Sequence, residues 1–260
     1  MTAVPDSDNG SVPVLAANDI RKVYGHVQAL RGVDLTLHAG EVHALVGDNG
    51  AGKSTLLRIL AGATRPDAGE LSLNGKPISL DGPLRARELG IETVYQDLAL
   101  ADDRSCSANV YIGRELRRRG PLGRLGFLDR RRMNETTRSR FQELSVPITQ
   151  VERPVRLLSG GQRQGVAIAR AAIWAKHVLL LDEPTAALGV RQRGAVAALI
   201  ERLREMRLAV VLISHDIPEV LKLADRLTVL RQGRRVATCP CADVDTSWVV
   251  HAMVAEPSNA

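Results

Sequence analysis

Nine consecutive residues, GDNGAGKST from Gly47 to Thr55, combine three glycines with a lysine and two hydroxyl side chains. Their spacing matches the template G-x-x-x-x-G-K-[ST], whose backbone N–H groups cradle phosphates. Glycine loses more backbone entropy on folding than other residues, so the run must serve geometry. Lys53 would neutralise the β- and γ-phosphates of a nucleotide, and the Ser54 hydroxyl would ligate Mg²⁺. We predict phosphate contacts from Gly47, Asp48, Asn49, Gly50, Ala51, Gly52, Lys53, Ser54 and Thr55.

A second pattern is the acidic pair in HVLLLDEPT, residues 177–185. The apolar run predicts a buried strand that delivers Asp182 at its carboxyl end, where the phosphate site of an α/β sheet lies. Asp182 is therefore a candidate Mg²⁺ ligand, because this ion prefers hard oxygen ligands. Glu183 is the candidate general base for a water that attacks the γ-phosphate. An acidic pair often serves only a turn, but the upstream phosphate loop favours the catalytic interpretation.

A second anion cradle is predicted in LSGGQRQGVAIARA, which begins at Leu158. Its polar residues immediately precede an amphipathic helix, whose N-terminus can hold an anion. One chain does not need two γ-phosphate cradles for one nucleotide, so we infer that this one serves the nucleotide of another subunit. The residues concerned are Ser159, Gly160, Gly161 and Gln162.

These groups must be positioned by an α/β framework. An apolar strand, Glu41 to Val46, precedes the phosphate loop, and the helical run KSTLLRILAG follows it, with Gly62 placed to end the helix. Two short parallel strands are predicted in HVLLLDEP, residues 177–184, and in LAVVLISHD, residues 208–216. A helix from Val190 to Met206 joins them. Between them and the N-terminal strands, the strand signal fades into arginine-rich, helix-like sequence. DRLTVLRQGRRVATC predicts a hairpin that turns at Gln232 and Gly233.

Composition narrows the class of protein. The chain has 260 residues, 45% of them hydrophobic, which is enough for a proper core. A net charge of +6 permits an acidic partner without choosing one, whereas 3% aromatic residues disfavour the stacking surfaces of many nucleic-acid binders. Every long apolar stretch is interrupted by charge, so any membrane role is expected to be peripheral.

Cysteine usage and the N-terminus indicate a reducing compartment. The number of cysteines is odd, and they are Cys106, Cys239 and Cys241. The first residues lack the features of a secretion signal. No second pair or histidine cluster completes a zinc site around Cys239 and Cys241. We therefore interpret the three as ordinary thiols of a cytosolic protein.

The LSGGQ string between a phosphate loop and an Asp-Glu strand closely resembles the ATP-binding cassette of ABC transporters, over about residues 14–235. The resemblance implies an α/β fold: a P-loop NTPase with a mostly parallel core sheet, an N-terminal antiparallel β subdomain and an inserted α-helical subdomain. We expect a flexible leader at residues 1–13, an ATPase domain at 14–240 with its helical subdomain at about 97–165, and a tail at 241–260.

The same resemblance implies three further roles. Tyr24 matches the aromatic residue that stacks on adenine, although a half-buried strand tyrosine is the alternative. Gln96 matches the glutamine at the junction with the helical subdomain that senses the γ-phosphate and Mg²⁺. His215 matches the switch histidine that contacts the γ-phosphate and positions the attacking water. A lone histidine is more often structural, but its location at a strand end beside the Asp-Glu strand favours the switch.

One departure from the family pattern lies after the Asp-Glu-Pro-Thr string. The family usually continues Ser-Ala-Leu-Asp, whereas this chain has Ala-Ala-Leu-Gly at residues 186–189. The missing aspartate at Gly189 puts the usual hydrogen bonds across the dimer in doubt. Together, AALGV and VYQDLAL resemble the subgroup that powers monosaccharide import. The single phosphate loop implies that the chain pairs with itself or with a separate cassette.

The resemblance therefore implies an ATP- and Mg²⁺-dependent ATPase subunit of an ABC importer for a monosaccharide. Implied partners are a second cassette, transmembrane permease subunits and, indirectly, a solute-binding protein, at the cytoplasmic face of the cell membrane. The alternatives are a soluble cassette acting on nucleic acid or the ribosome, which typically has two fused cassettes or a coiled-coil insertion, and a non-hydrolysing regulatory cassette. The intact Glu183, Gln96 and His215 argue against the regulatory alternative.

Arginines cluster in the predicted helical insertion. A solvated face is the preferred interpretation of such a run. The alternative is contact with lipid headgroups or a permease loop. The cluster consists of Arg114, Arg117, Arg118, Arg119, Arg124, Arg130, Arg131 and Arg132.

Overall fold

The computed structural model describes residues 12–254 and contains two sheets. Most of the predicted leader, and the end of the predicted tail, lie outside this range. The first sheet is antiparallel, with strand order β2-β1-β4-β5, and β1 and β2 form a long two-stranded ribbon. Its strands are β1 (Leu15–Tyr24), β2 (Val27–Leu37), β4 (Ala68–Leu73) and β5 (Lys76–Ile78).

The second sheet forms the centre of the protein and confirms the predicted parallel core. Its order is β10-β9-β3-β8-β7-β6, and all neighbours are parallel except the β9/β10 pair. Every residue of β3 and β8 is buried, as expected for strands covered on both faces. The strands are β3 (Val42–Val46), β6 (Ile91–Val94), β7 (Val178–Asp182), β8 (Ala209–Ile213), β9 (Arg226–Arg231) and β10 (Arg234–Pro240).

Helices cover both faces of this sheet. One buried cluster joins α1 and the antiparallel sheet to it, and the other joins α6, α7 and α8. In the described part of the chain, no helix is both long enough and apolar enough to cross a bilayer. The helices outside the insertion are α1 (Lys53–Leu60), α2 (Pro83–Glu88), α6 (Gly160–Trp174), α7 (Val190–Glu205), α8 (Ile217–Leu223) and α9 (Thr246–Val254).

Two predicted chain reversals are confirmed in detail. Gly62 has φ +69°, its N–H donates to the Ile59 carbonyl, and the next N–H donates to the Arg58 carbonyl, which completes a Schellman end to α1. At the β9/β10 hairpin, Gln232 and Gly233 have φ +48° and +77°, the conformation of a type I′ turn.

The region between β6 and α6 is helical, as its sequence predicts. It contains α3 (Cys106–Tyr111), α4 (Pro121–Arg124) and α5 (Arg130–Glu143), and a single turn of 3-10 helix at Val155–Leu157 leads into α6. Ser105 and Asp129 cap α3 and α5 through their side chains, which explains where these helices begin.

Arg114 connects this helical region to the core sheet, so the solvated-face interpretation is wrong for this residue. Its guanidinium lies 2.6 Å from the carboxylate of Glu92, a buried residue of β6, and 4.8 Å from the centre of the Trp174 ring. Trp174 in turn donates its indole N–H to the carbonyl of Val110 at 2.9 Å. A buried carboxylate needs a charge partner, and Arg114 supplies it.

All three cysteines are buried free thiols, as the interpretation of ordinary thiols requires. Burial raises the pKa of each of them, in Cys241 to about 12, where the neighbouring Cys239 and Asp225 add to the effect. Thiols in such surroundings stay protonated and unreactive near neutral pH.

We expect Arg114→Ala to lower the free energy of unfolding by about 1 to 3 kcal/mol, because it leaves Glu92 buried with only Arg87 nearby at 3.7 Å. Arg131→Ala is the matched control, since Arg131 pairs with Glu135 in solvent and its removal should change little. Urea unfolding monitored by circular dichroism measures both. Equal losses in the two variants would contradict the role given to Arg114.

Candidate functional site

The carboxyl ends of three neighbouring strands form the floor of the candidate site. Ile213 at the end of β8 pairs with Leu45 of β3 on one side and with Asp182 of β7 on the other. The residues that follow these strands therefore emerge at one edge of the sheet. They surround a cleft of about 290 Å³ lined by Asn49, Gly50, Gly52, Lys53, Ser54, Thr55, Gln96, Asp182, Glu183 and Ile213.

The glycine-rich loop wraps around the ammonium group of Lys53. This group donates to the carbonyl of Gly47 at 2.6 Å and to that of Asp48 at 2.9 Å, which fixes the lysine at the start of α1. Gly52 has φ +106°, and a Cβ placed there would lie 2.7 Å from the Ala29 carbonyl oxygen, so only glycine fits. Burial lowers the pKa of Lys53, although Glu183, Asp48 and Asp182 act in the opposite direction.

The acidic pair lines this cleft, and His215, which does not line it, contacts Glu183 beside it. A side-chain oxygen of Glu183 lies 3.3 Å from Nδ1 of His215, and the histidine is otherwise open to solvent. Glu183 also has φ +49°, a left-handed conformation that costs energy in a residue other than glycine and that concentrates at functional sites. The backbone around the candidate base is thus held in a strained turn.

Three oxygen-bearing side chains in the cleft suit a magnesium ion. Ser54 is the second residue of α1, Asp182 ends β7, and Gln96 lies two residues after β6. Burial raises the pKa of Asp182, and Glu183 raises it further, whereas Arg58 and Lys53 oppose the rise. A hydroxyl, an amide and a carboxylate are the hard oxygen donors that Mg²⁺ accepts, so the residues present fit this ion.

Tyr24 is not among the residues that line the cleft. It ends β1 in the antiparallel sheet, with 45% of its surface exposed and the Lys22 ammonium 5.6 Å from the centre of its ring. A strand position with about half of the ring exposed fits both interpretations, so adenine stacking by Tyr24 stays a prediction.

The second predicted anion cradle lies elsewhere, in a separate cavity of about 430 Å³ between α6 and α7. Ser159 is the N-cap of α6: its hydroxyl accepts from the Gln162 N–H at 3.3 Å, and the Gln162 side chain accepts from the Ser159 N–H at 3.0 Å. This reciprocal capping box gives both residues a structural role that sequence reasoning missed. Its signal is present, since serine and glutamine are spaced S-x-x-Q.

Gly161 is a glycine because a neighbouring side chain occupies its space. A Cβ at this position would lie 2.8 Å from Cγ and 2.9 Å from Cβ of Gln192, whereas Gly160 faces open space. Gln192 belongs to the first turn of α7, so its side chain packs against the backbone of the predicted cradle at Gly161.

Gln192 and Arg193 are the residues that sequence reasoning missed. Gln192 accepts from the N–H of Gly189 at 3.0 Å, where the missing aspartate would stand. Arg193 donates to the Leu188 carbonyl at 3.1 Å and pairs with Asp216, the residue after His215, at 2.6 Å. The first turn of α7 thus touches both the predicted cradle and the segment next to the cleft. A glutamine three residues after a helix cap was the available signal.

A phosphate loop between β3 and α1, with an acidic pair ending a nearby strand of a parallel sheet, defines a P-loop NTPase. The sequence profile of the ABC transporter family matches residues 30–186. The chain belongs to this family as one of its ATP-binding cassettes.

Similar proteins cover nearly all of the chain. The fructose import ATP-binding protein FrcA of Rhizobium meliloti is 45% identical over 240 residues, 92% of either chain. The ribose import ATP-binding protein RbsA 2 of Streptomyces avermitilis is 42% identical over 248 residues, 95% of this chain, which spans only 48% of that relative. The crystal structure of MJ1267, an ATP-binding cassette of an ABC transporter, has a TM-score of 0.79 at 24% identity, covers 95% of this chain and is itself covered completely. The likeness confirms the predicted fold.

We expect Lys53→Ala to weaken ATP binding about tenfold or more, because it removes a charge-assisted contact worth roughly 1.5 to 3 kcal/mol. Lys76→Ala, on the exposed strand β5, is the control and should bind normally. Equilibrium titration with a fluorescent ATP analogue measures both. An unchanged affinity in the Lys53 variant would remove this residue from the site.

Proposed function

We propose that this chain is the ATP-hydrolysing subunit of a membrane importer whose cargo is a monosaccharide. The observation that carries the proposal is the convergence of Lys53, Asp182, Glu183 and Gln96 on one cleft. The sugar assignment is supported by the relatives, which are named as fructose and ribose import proteins.

In the proposed mechanism, the loop from Gly47 to Thr55 and the Lys53 ammonium hold the phosphates of ATP. Lys53 exchanges its two loop carbonyls for phosphate oxygens, a stronger charge-assisted contact. Ser54, Asp182 and Gln96 would hold Mg²⁺, which neutralises negative charge on the phosphates when bound. The exposed ring of Tyr24 would stack on adenine.

Glu183 is the proposed general base. Its carboxylate accepts a proton from the water that attacks the γ-phosphorus, and the neighbouring His215 orients this water and contacts the γ-phosphate. The strained backbone at Glu183 supports this role, since the turn fixes the direction in which the carboxylate leaves β7.

The complete site is proposed to contain two chains. Ser159, Gly161 and Gln162 line a cavity apart from the cleft of their own chain, and Gly160 lies between them in sequence, which favours use of the four by a partner's nucleotide. ATP would thus hold two cassettes head to tail, and hydrolysis would release them. A second copy of this chain is the simplest partner.

The remaining proposed partners are transmembrane permease subunits, which convert this cycle into solute movement, and indirectly a solute-binding protein. The chain would then act on the cytoplasmic face of the membrane as a peripheral subunit.

Glu183→Gln keeps the shape of the side chain but removes the base. We expect hydrolysis to fall by about 10² or more while ATP binding survives, so that an ATP-bound dimer accumulates. Phosphate release and size-exclusion chromatography measure the two effects, with Glu205→Gln at the exposed end of α7 as control. Near-normal turnover would assign the base elsewhere, and no turnover in the unmodified protein would favour a regulatory cassette.

The two-chain site is tested by mixing Lys53→Ala and Ser159→Arg proteins, the latter chosen to obstruct the partner's γ-phosphate. Each homodimer should be nearly inactive, because both of its composite sites carry the defect. A mixed dimer contains one site with both defects and one intact site, so ATP binding and part of the activity should return on mixing.

Verified mixed dimers that regain no ATP binding, together with crosslinking of Ser159 to Lys53 within one chain, would exclude the head-to-tail arrangement. Rescued binding without hydrolysis would instead indicate obligatory coupling between the two sites.

A further inference from the structure

The positive charge of this protein is concentrated in one short stretch, residues 117–132, which we name the arginine segment. It contains seven of the 35 basic residues and one of the 29 acidic residues, so its net charge of +6 equals that of the whole chain. The charges of the other 28 basic and 28 acidic residues cancel. The seven are Arg117, Arg118, Arg119, Arg124, Arg130, Arg131 and Arg132.

These arginines differ from others on the surface in having few partners. Arg131 pairs with the exposed Glu135, and within residues 12–254 the other six guanidinium groups make no hydrogen bond or ion pair. By contrast, Arg138 and Arg163, which lie outside the segment, are each 2.7 Å from a carboxylate oxygen. The segment therefore presents uncompensated charge.

The acidic groups nearest in sequence are already engaged with the backbone. The carboxylate of Asp129 accepts from the N–H of Arg132 and caps α5, and that of Glu115 accepts from the N–H of Gly113. Neither is directed at the arginines by a hydrogen bond. An external anion is thus the partner that this charge lacks.

Large apolar side chains are exposed among the arginines. Leu125 is 74% exposed, Phe127 54% and Leu122 45%. They lie in a folded loop, because the Arg118 N–H donates to the Phe127 carbonyl at 2.9 Å, and Arg117 and Leu128 form an antiparallel bridge. Uncompensated arginines interleaved with exposed leucine and phenylalanine are typical of surfaces that lie at the headgroup layer of a membrane.

Two open basins flank Arg118 and could receive phosphate groups. One, of about 530 Å³, is lined by Arg117, Arg118 and Arg124 together with small residues. The other, of about 540 Å³, is lined by Arg118, Arg130, Arg131, Phe127, Leu128 and Gly126. Guanidinium groups bind phosphate oxygens in a bidentate manner, and the second basin places apolar atoms beside them.

We propose that the arginine segment binds the surface of an anionic lipid bilayer. Its arginines contact the headgroup phosphates, while Leu122, Leu125 and Phe127 enter the layer beneath them. A nucleic acid would satisfy the arginines but leave these apolar side chains unexplained. The interaction goes beyond the proposed ATPase function, because it uses no residue of the nucleotide cleft.

The test is co-flotation of the purified full chain with vesicles of phosphatidylcholine alone or mixed equally with phosphatidylglycerol. We expect binding to the anionic vesicles only, weaker at high salt. The triple variant Arg117→Gln/Arg118→Gln/Arg119→Gln should bind about 100-fold more weakly, since each arginine near an anionic surface contributes roughly a fivefold factor. The control Arg21→Gln/Arg65→Gln/Arg85→Gln makes the same change of charge at exposed sites outside the segment and should bind nearly normally.

The apolar contribution is tested separately. Leu125→Ser/Phe127→Ser should weaken binding to anionic vesicles about tenfold or more, whereas Val27→Ser/Leu84→Ser, which changes two residues of similar exposure elsewhere, should not. If the Leu125 and Phe127 variant binds like the unmodified chain, the surface is purely electrostatic, and insertion is excluded.

Two other outcomes would overturn the proposal: absence of binding by the folded, unmodified chain, and equal losses in the segment variant and its charge control. If the unmodified chain does not bind, an acidic protein surface becomes the better candidate for the binding partner of the arginine segment. ATP hydrolysis without vesicles should be the same in all these variants. A chain that binds vesicles but hydrolyses no ATP would contradict the proposed function and leave the membrane contact standing.

Discussion

The site depends on the alignment of three buried parallel strands. Because β3, β8 and β7 are covered on both faces, their hydrophobic side chains specify the register, and Leu45, Ile213 and Asp182 fall side by side. The loop before α1, the acidic pair and His215 all lie at these strand ends. A shift of one residue in the register of β7 would turn Asp182 to the other face of the sheet. The cleft would then lose the carboxylate of Asp182.

Hydrogen bonds and an ion pair, in addition to hydrophobic packing, attach the helical region to this sheet. Arg170 of α6 donates to the carbonyls of Leu98 and Ala99, immediately after Gln96, and burial lowers its pKa. Arg114 reaches back to Glu92 in the strand before that segment. The helix that begins at the predicted anion cradle is therefore tied to the wall of the cleft on which Gln96 lies.

Much of this arrangement could be predicted because it depends on local spacing. The phosphate loop, the strand that ends in Asp182, the Schellman end of α1 and the β9/β10 hairpin each need only neighbouring residues of the right type. The contacts of Arg114, Gln192 and Arg193 with Glu92, Gly161 and Asp216 could not be predicted, since each partner lies far away in the chain. The sequence of an arginine-rich run does not indicate which arginine pairs with a buried carboxylate.

The contact between Gly161 and Gln192 has a consequence for how such a chain can change over evolutionary time. The two residues compete for one volume, because the methylene groups of Gln192 fill the place of a side chain at 161. A larger residue at 161 therefore becomes admissible only after position 192 has shortened, and shortening it removes the acceptor for the Gly189 N–H. The order of substitutions is constrained at a pair of positions 31 residues apart, and a one-step change at either is expected to be disfavoured.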